Sequence, residues 1–357
     1  MADHDWDLCC FGNAMVDIFA CADEETAARF GISQPVQHVD IDLLIKMLPA
    51  LGDYTRASGG GAANAAKIAA LLGTRVCFSG AVGGEEFGRF FEEELLAAGV
   101  SPRLAKKAPP TGLCLMLRGG GNEARVAASP SAALELSEGD ISDADIERAK
   151  AVVIDGYILD RPALVRKILL AAGKSGKAAA IDLGSAFIAK ERVLEILEYS
   201  RQHQVILFMN EEEAEAFYEG LKSHGVEVQD LSPAEEEEES HPTERRKRGS
   251  PFRRACTFFQ ALTGGKPFPI ITLKLAHKGA MVFSGGNIYR AGTEAAEPVD
   301  TTGAGDAFCA AFLSAWVQGR QLTECAEIGN MAARIILGVT GTQAGREIFL
   351  PVARRLQ

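Results

Sequence analysis

The sequence predicts an α/β protein: a mostly parallel central sheet flanked by helices, with a smaller β element added in its first third. Three observations predict it. From Ala151 to Asn210 short apolar runs alternate with helix-length segments in the order β-α-β-α-β, a pattern that joins parallel strands through helical crossovers. The N-terminal third instead carries extended runs separated by glycine-rich turns. The 357-residue chain is 47% hydrophobic, enough for a substantial core and too much for a disordered chain.

The elements follow in order. "WDLCCFGNAMVDIFACA", from Trp6, reads as a strand that enters a Gly-Asn turn and continues extended. In "ASGGGAANAAKIAALLG", Ala65, Ile68, Ala69 and Leu72 share one helical face, so Gly59 to Gly61 precede a helix and Asn64 lies in its first turn. "TGLCLMLRGGGNEARVAA" reads as a hairpin with a glycine-rich tip. "AVVID", "AAAIDL" and "VILFMN" are strands, separated by the helical "RPALVRKILLAAG" and "AKERVLEILEYSRQ". "PIITLK" and "GAMVFSGG" add further strands, and "LTECAEIGNMAARIIL" a late helix. Ligands of such sheets bind in the crevice at the carboxyl ends of the strands. The added β element, from about 11–56 and 110–128, is expected to cover that crevice as a lid on a single domain spanning 1–357. Residues 229–254 stand apart: an acidic block followed by a basic one, expected to be a disordered surface insertion.

Composition excludes several functions. A net charge of −11 argues against a broad nucleic-acid-binding face. No apolar run is long enough to span a membrane, and the acidic "MADHDWDLCC" is not a secretory signal. The eight cysteines are scattered without metal-ligand spacing, as expected of reduced thiols in a cytoplasmic protein. "AAGKSGK" carries Ile168 where a phosphate-binding P-loop needs glycine, and "RGGGNE" lacks the spacing of a dinucleotide fingerprint.

The stretch with the most chemistry is "VDTTGAGDAFCAAFL". Helical spacing begins near Ala304, which puts Gly303, Ala304 and Gly305 at a helix N-terminus, where unpaired N–H groups and the helix dipole attract an anion. Asp306 falls in the first turn. An acid there serves as a dipole-stabilising residue, or as a general base that accepts a hydroxyl proton while the amides hold a phosphoryl group. Asp17 follows the Gly-Asn turn and could accept from two hydroxyls of a sugar, or cap the turn. Asn210 and Glu213, after a buried strand, could hold hydrated Mg²⁺ on phosphates, or form a helix N-cap.

"SGGGAANAAKIAALLG" with "DTTGAGDAFCAAFL" resembles the two signatures of the ribokinase-like, or PfkB, carbohydrate kinases, and "GNAMVDI" and Asn210-x-x-Glu213 occur in that family's order. "GNAMVDI" leans toward the adenosine-kinase-like branch. The resemblance implies a ribokinase-like α/β fold with a small β lid, and ATP-dependent phosphotransfer to a hydroxymethyl group of a nucleoside or sugar. By position it implies Asp306 as base, Gly303, Ala304 and Gly305 as anion hole, and Asp17, Gly60 and Asn64 as acceptor contacts. It implies Asn210 and Glu213 as the Mg²⁺–phosphate pair, Thr272 as a nucleotide contact, and Asp300 and Thr302 as a K⁺ site, as in some members. Partners expected are ATP and a small sugar or nucleoside, with no nucleic acid or membrane, and a homodimer formed through the lid. Ribose, fructose, a keto-deoxy sugar acid and a sugar phosphate are alternative acceptors. A non-catalytic sugar or nucleoside sensor is a second reading, against which the intact Asp306 argues. An interaction protein organised around the charged insertion is a third.

The chain departs from the family at Lys274, where glycine is usual, and at the "RGGGNEAR" tip. "VTGTQAGRE" matches the adenine-side loop too loosely to assign residues.

Overall fold

A computed structural model describes residues 5–21, 24–118, 124–226, 255–256, 258–260, 262–263, 268–339 and 344–357. The 229–254 insertion, the hairpin tip at 119–123 and residues 340–343 of "VTGTQAGRE" lie outside the described residues.

Among the described residues, fourteen strands form two sheets. In chain order they are β1 (Trp6–Phe11), β2 (Met15–Cys21), β3 (Val36–His38), β4 (Tyr54–Gly59), β5 (Val76–Gly83), β6 (Ser101–Lys107) and β7 (Gly112–Arg118). Then follow β8 (Ala124–Ser129), β9 (Ala149–Asp155), β10 (Ala178–Asp182), β11 (Val205–Asn210), β12 (Ile270–Lys274), β13 (Ala280–Ser284) and β14 (Asn287–Ala291). The large sheet has nine strands in the order β14-β13-β12-β11-β10-β9-β1-β5-β6. It is parallel from β6 through β12, and β13 and β14 close one edge antiparallel.

Helices cover both faces, which is why these strands read as continuous apolar runs rather than alternating ones. Successive residues face opposite layers. Leu8, Cys10, Ala151 and Val153 pack toward the helices Gly61–Leu71, Ala304–Trp316 and Leu322–Ile336. Cys9, Phe11, Val152 and Ile154 pack toward Pro162–Lys174, Val193–Gln202 and Glu211–Ser223. The register brings the strand ends level: Asp155 lies beside Asp182, and Asn210 beside Lys274.

The smaller sheet has the order β3-β8-β7-β2-β4. β7 and β8 form the expected antiparallel hairpin, while β2 and β7 run parallel. Val16, Ile18, Leu113, Leu115 and Leu117 bury one of its faces, together with Leu44 and Met47 of the helix Ile41–Met47. The chain crosses from the large sheet to the small one through Gly12-Asn13-Ala14, between β1 and β2. It returns through Gly60, between β4 and the helix Gly61–Leu71. The two crossings touch. A Cβ on Gly60 would stand 2.2 Å from the Asn13 carbonyl oxygen, and the residue has φ 98°, a conformation that a side chain strongly disfavours.

Candidate active site

Both glycine motifs deliver a helix N-terminus to the same place. Gly303 caps the helix Ala304–Trp316 with φ 78°, so Asp306 sits in the first turn, as the spacing requires. Asn64, in the first turn of Gly61–Leu71, donates from Nδ2 to Asp306 Oδ2 at 2.9 Å. Asp306 Oδ1 faces the bare Cα of Gly61, 3.5 Å from where a Cβ would stand. One oxygen is therefore held, and the other faces a gap kept open by a glycine.

The electrostatics favour a proton acceptor that works near neutrality. Burial is the largest cause raising the Asp306 carboxyl; the Asp182 carboxylate and, less strongly, Asp155 add to it. The Asn64 hydrogen bond and the Lys274 ammonium oppose the rise, and the balance lies at about 7. Asp17, on β2, is nearly fully buried. Its burial pushes it up to about 7 against the pull of Lys67. A Cβ on Gly59 would lie 2.3 Å from Asp17 Oδ2, so the carboxylate occupies the space that this glycine leaves. Lys67 Nζ, buried, donates to the Ser58 carbonyl at 2.6 Å and to Ser58 Oγ at 2.8 Å, tying the helix Gly61–Leu71 to the end of β4.

A cavity of about 730 Å³ opens from Asp306 along the carboxyl ends of β10 to β12. Asp182, Asn210, Glu213, Lys274, Gly305 and Asp306 line its inner end. Its far rim carries Arg334, ion-paired with Glu294.

Asn210 and Glu213 realise the capping arrangement. Asn210 Oδ1 accepts from the Glu213 N–H at 2.8 Å; Glu213 Oε2 accepts from the Asn210 N–H at 2.9 Å, and Oε1 from Asn210 Nδ2 at 2.9 Å. Burial pushes the Glu213 carboxyl to about 7, with Lys274 opposing. Among the described residues no three acidic, cysteine or histidine side chains form a metal cage.

Thr272 lies in mid-strand, fully buried, with its hydroxyl unpartnered, and does not line the cavity. The strand end that does is Lys274, two residues on. The Asp300 carboxylate holds its own turn and meets a guanidinium. Its Oδ1 accepts from the Thr302 N–H at 2.9 Å, and its Oδ2 lies 3.6 Å from Arg118 of β7.

Asp155 and Asp182 join the site although neither stands out in the sequence. Both end an apolar strand, in "AVVID" and "AAAID"; Asp182 lines the cavity, and Asp155 Oδ2 lies 3.6 Å from where a Cβ on Gly61 would stand, on the side where Asp306 Oδ1 stands at 3.5 Å. Asp155 caps the turn that follows, accepting from the Tyr157 N–H at 3.0 Å, and burial lifts it to about 6.

The family described as "pfkB family carbohydrate kinase" matches residues 7–241 and 260–348. The chain belongs to this family. The match breaks at 242–259, within and just beyond the basic half of the insertion. Adenosine kinase 1 of Arabidopsis thaliana is 25% identical over 96% of this chain and 97% of its own length. A ribokinase of Bacillus subtilis is 25% identical over 80% of this chain and 83% of its own. The crystal structure of an adenosine kinase from Sinorhizobium meliloti shares 27% identity and superposes with TM-score 0.78, covering 98% of each chain. The protein is thus a carbohydrate or nucleoside kinase on a ribokinase-like fold, in the adenosine-kinase-like branch. No described helix is long and apolar enough to cross a membrane.

Proposed function

We propose that the protein transfers the γ-phosphoryl group of ATP to the primary hydroxyl of a nucleoside, with adenosine as the leading acceptor. The observation that carries this reading is Asp306. Its Oδ2 is held by Asn64 from the other glycine motif, its Oδ1 faces the gap at Gly61, and its proton affinity lies near neutrality. The acceptor hydroxyl gives its proton to Oδ1 as its oxygen bonds to phosphorus and the bond to the departing diphosphate breaks. The N–H groups at Gly303 to Gly305 receive the charge on the transferring phosphoryl oxygens. Asp17 and Gly60 bound the acceptor side, while the cavity beside β12 takes the nucleotide. Mg²⁺, held through Asn210 and Glu213 by way of water, would neutralise phosphate charge. The nucleoside is favoured over a free sugar because the adenosine kinase relative aligns along nearly the whole chain, whereas the ribokinase aligns along four-fifths of it.

The test is ATP consumption with Mg²⁺ against adenosine, other nucleosides, ribose, fructose, 2-keto-3-deoxygluconate and a fructose phosphate. Adenosine should give the highest kcat/KM. A sugar exceeding every nucleoside would overturn the acceptor assignment but leave the chemistry standing.

A further inference from the structure

The residue that departs from the family pattern stands beside the reacting centre. Lys274 ends β12, and its Nζ donates to Asp182 Oδ1 at 2.7 Å and Oδ2 at 3.0 Å. Asp182 is fixed in turn by Cys309, whose thiol donates to Oδ2 at 3.0 Å. Burial and the neighbouring carboxylate raise that thiol well above its ordinary range, so it stays protonated and serves as a donor. The ammonium has three N–H groups, and two are engaged by Asp182. Its further approach to Cys309 Sγ, at 4.0 Å, is long. On its open side Nζ lies 3.2 Å from the point where a Cβ on Gly305 would stand. Any side chain at 305 would crowd it. The lysine and the glycine therefore fit as a pair, and the ammonium sits against the N-terminus of the helix that carries Asp306. Burial disfavours a charged amine here, but the Asp182 carboxylate outweighs it, with Glu213 adding to the pull, and the group is held protonated.

We propose that Lys274 is a catalytic residue of this chain: its third N–H binds a non-bridging oxygen of the transferring phosphoryl group, with Asp182 and Cys309 as the frame that aims it. The proposal rests on the phosphotransfer reading above. The glycine usual at this position offers no such charge, so this chain adds a fixed cation beside the amides of Gly303 to Gly305. A cation on a bidentate anchor meets its ordering cost on folding rather than in the reaction, which is the condition for strong transition-state stabilisation.

A bland alternative is that Lys274 only neutralises Asp182. The double variant separates the two roles. In the full-length protein, Lys274→Met should lower kcat by about 10²–10³-fold, the size of losing one preorganised donor, with the acceptor KM little changed. Lys274→Met with Asp182→Asn removes both charges, leaving no buried unpaired carboxylate. If Lys274 contacts phosphate, the double variant stays as slow as the single one. Recovery of the double variant to within tenfold of the parent, or a single variant with parental kcat, overturns the proposal. Activity in Lys274→Met together with silence in Asp306→Asn would sink this inference while leaving the base assignment intact. Should no acceptor turn over, calorimetric binding decides. Lys274→Met should weaken ATP by about tenfold or more and leave AMP unchanged, and equal loss or no loss for both overturns the proposal.

Discussion

Replacing Asp306 with asparagine isolates the proton-accepting step. The substitution is isosteric, and the new amide oxygen can still accept from Asn64 Nδ2 where Asp306 Oδ2 now does, at 2.9 Å. Orientation is therefore kept and proton affinity is lost. General-base assistance contributes roughly 10²–10⁴-fold, which is about 2.7–5.4 kcal/mol of barrier at about 1.36 kcal/mol per tenfold. The environment argues for the upper half of that range. Burial and the carboxylates of Asp182 and Asp155 have lifted Asp306 from 3.8 to about 7, where a base is strong yet still ionised at working pH. The same environment sets the sign of the effect on folding. A group that binds its proton more tightly when folded weakens the fold as pH rises from its unfolded value toward 7, so a neutral amide is favoured above that pH. Single-turnover kinetics with saturating ATP and acceptor should show the loss, while thermal melts at pH 8 show a melting temperature no lower than the parent's. ATP binding should be unchanged or tighter, because a negative charge beside the phosphates is gone. Phosphoryl transfer within tenfold of the parent rate would remove Asp306 as the base.

Other consequences follow from the same geometry. The kcat/KM profile should fall as pH drops through about 7, where Asp306 takes up its proton; Asp182→Asn removes the neighbouring carboxylate that raises it and should move that limb to lower pH. A limb that stays in place would show that another group controls it. Gly60→Ala forces a Cβ to within 2.2 Å of the Asn13 carbonyl at φ 98°; a strain of about 1–3 kcal/mol from the dihedral alone, with the clash added, should lower the melting temperature and raise the acceptor KM. Asn210→Ala breaks the capping box that closes on Glu213; it should cost about 0.5–2 kcal/mol in denaturant unfolding and raise the Mg²⁺ concentration needed for half-maximal rate. An unchanged Mg²⁺ requirement would confine Asn210 to capping.

The parts of the site legible in the sequence are those encoded locally. A glycine run before an apolar helix states its own geometry, so the placement of Gly303, Asp306, Gly60 and Asn64 at two helix N-termini could be read from spacing. What could not be read is which residues meet across the chain. Asp182 and Lys274 are 92 positions apart and become neighbours only because β10, β11 and β12 align at their carboxyl ends. Lys274 was visible as a departure, but its partner was not. Thr272 sits two residues before the strand end at Lys274, and a short apolar run does not show where a buried strand stops and the crevice begins. Asn210 and Glu213 carried two readings, cap and metal–phosphate pair; the cap is formed, and it leaves both side chains on the cavity wall. Arg118 reached Asp300 through the parallel pairing of β2 and β7, a long-range register that no local pattern announces.

The proposed reaction moves phosphate from ATP to a hydroxymethyl oxygen. Phosphorus NMR of the protein with ATP, Mg²⁺ and adenosine tests it most directly. ADP and a new phosphomonoester on the 5′ oxygen should appear in equal amounts, both absent with Asp306→Asn. Release of inorganic phosphate without a phosphorylated acceptor, for adenosine and for every sugar tried, would contradict it.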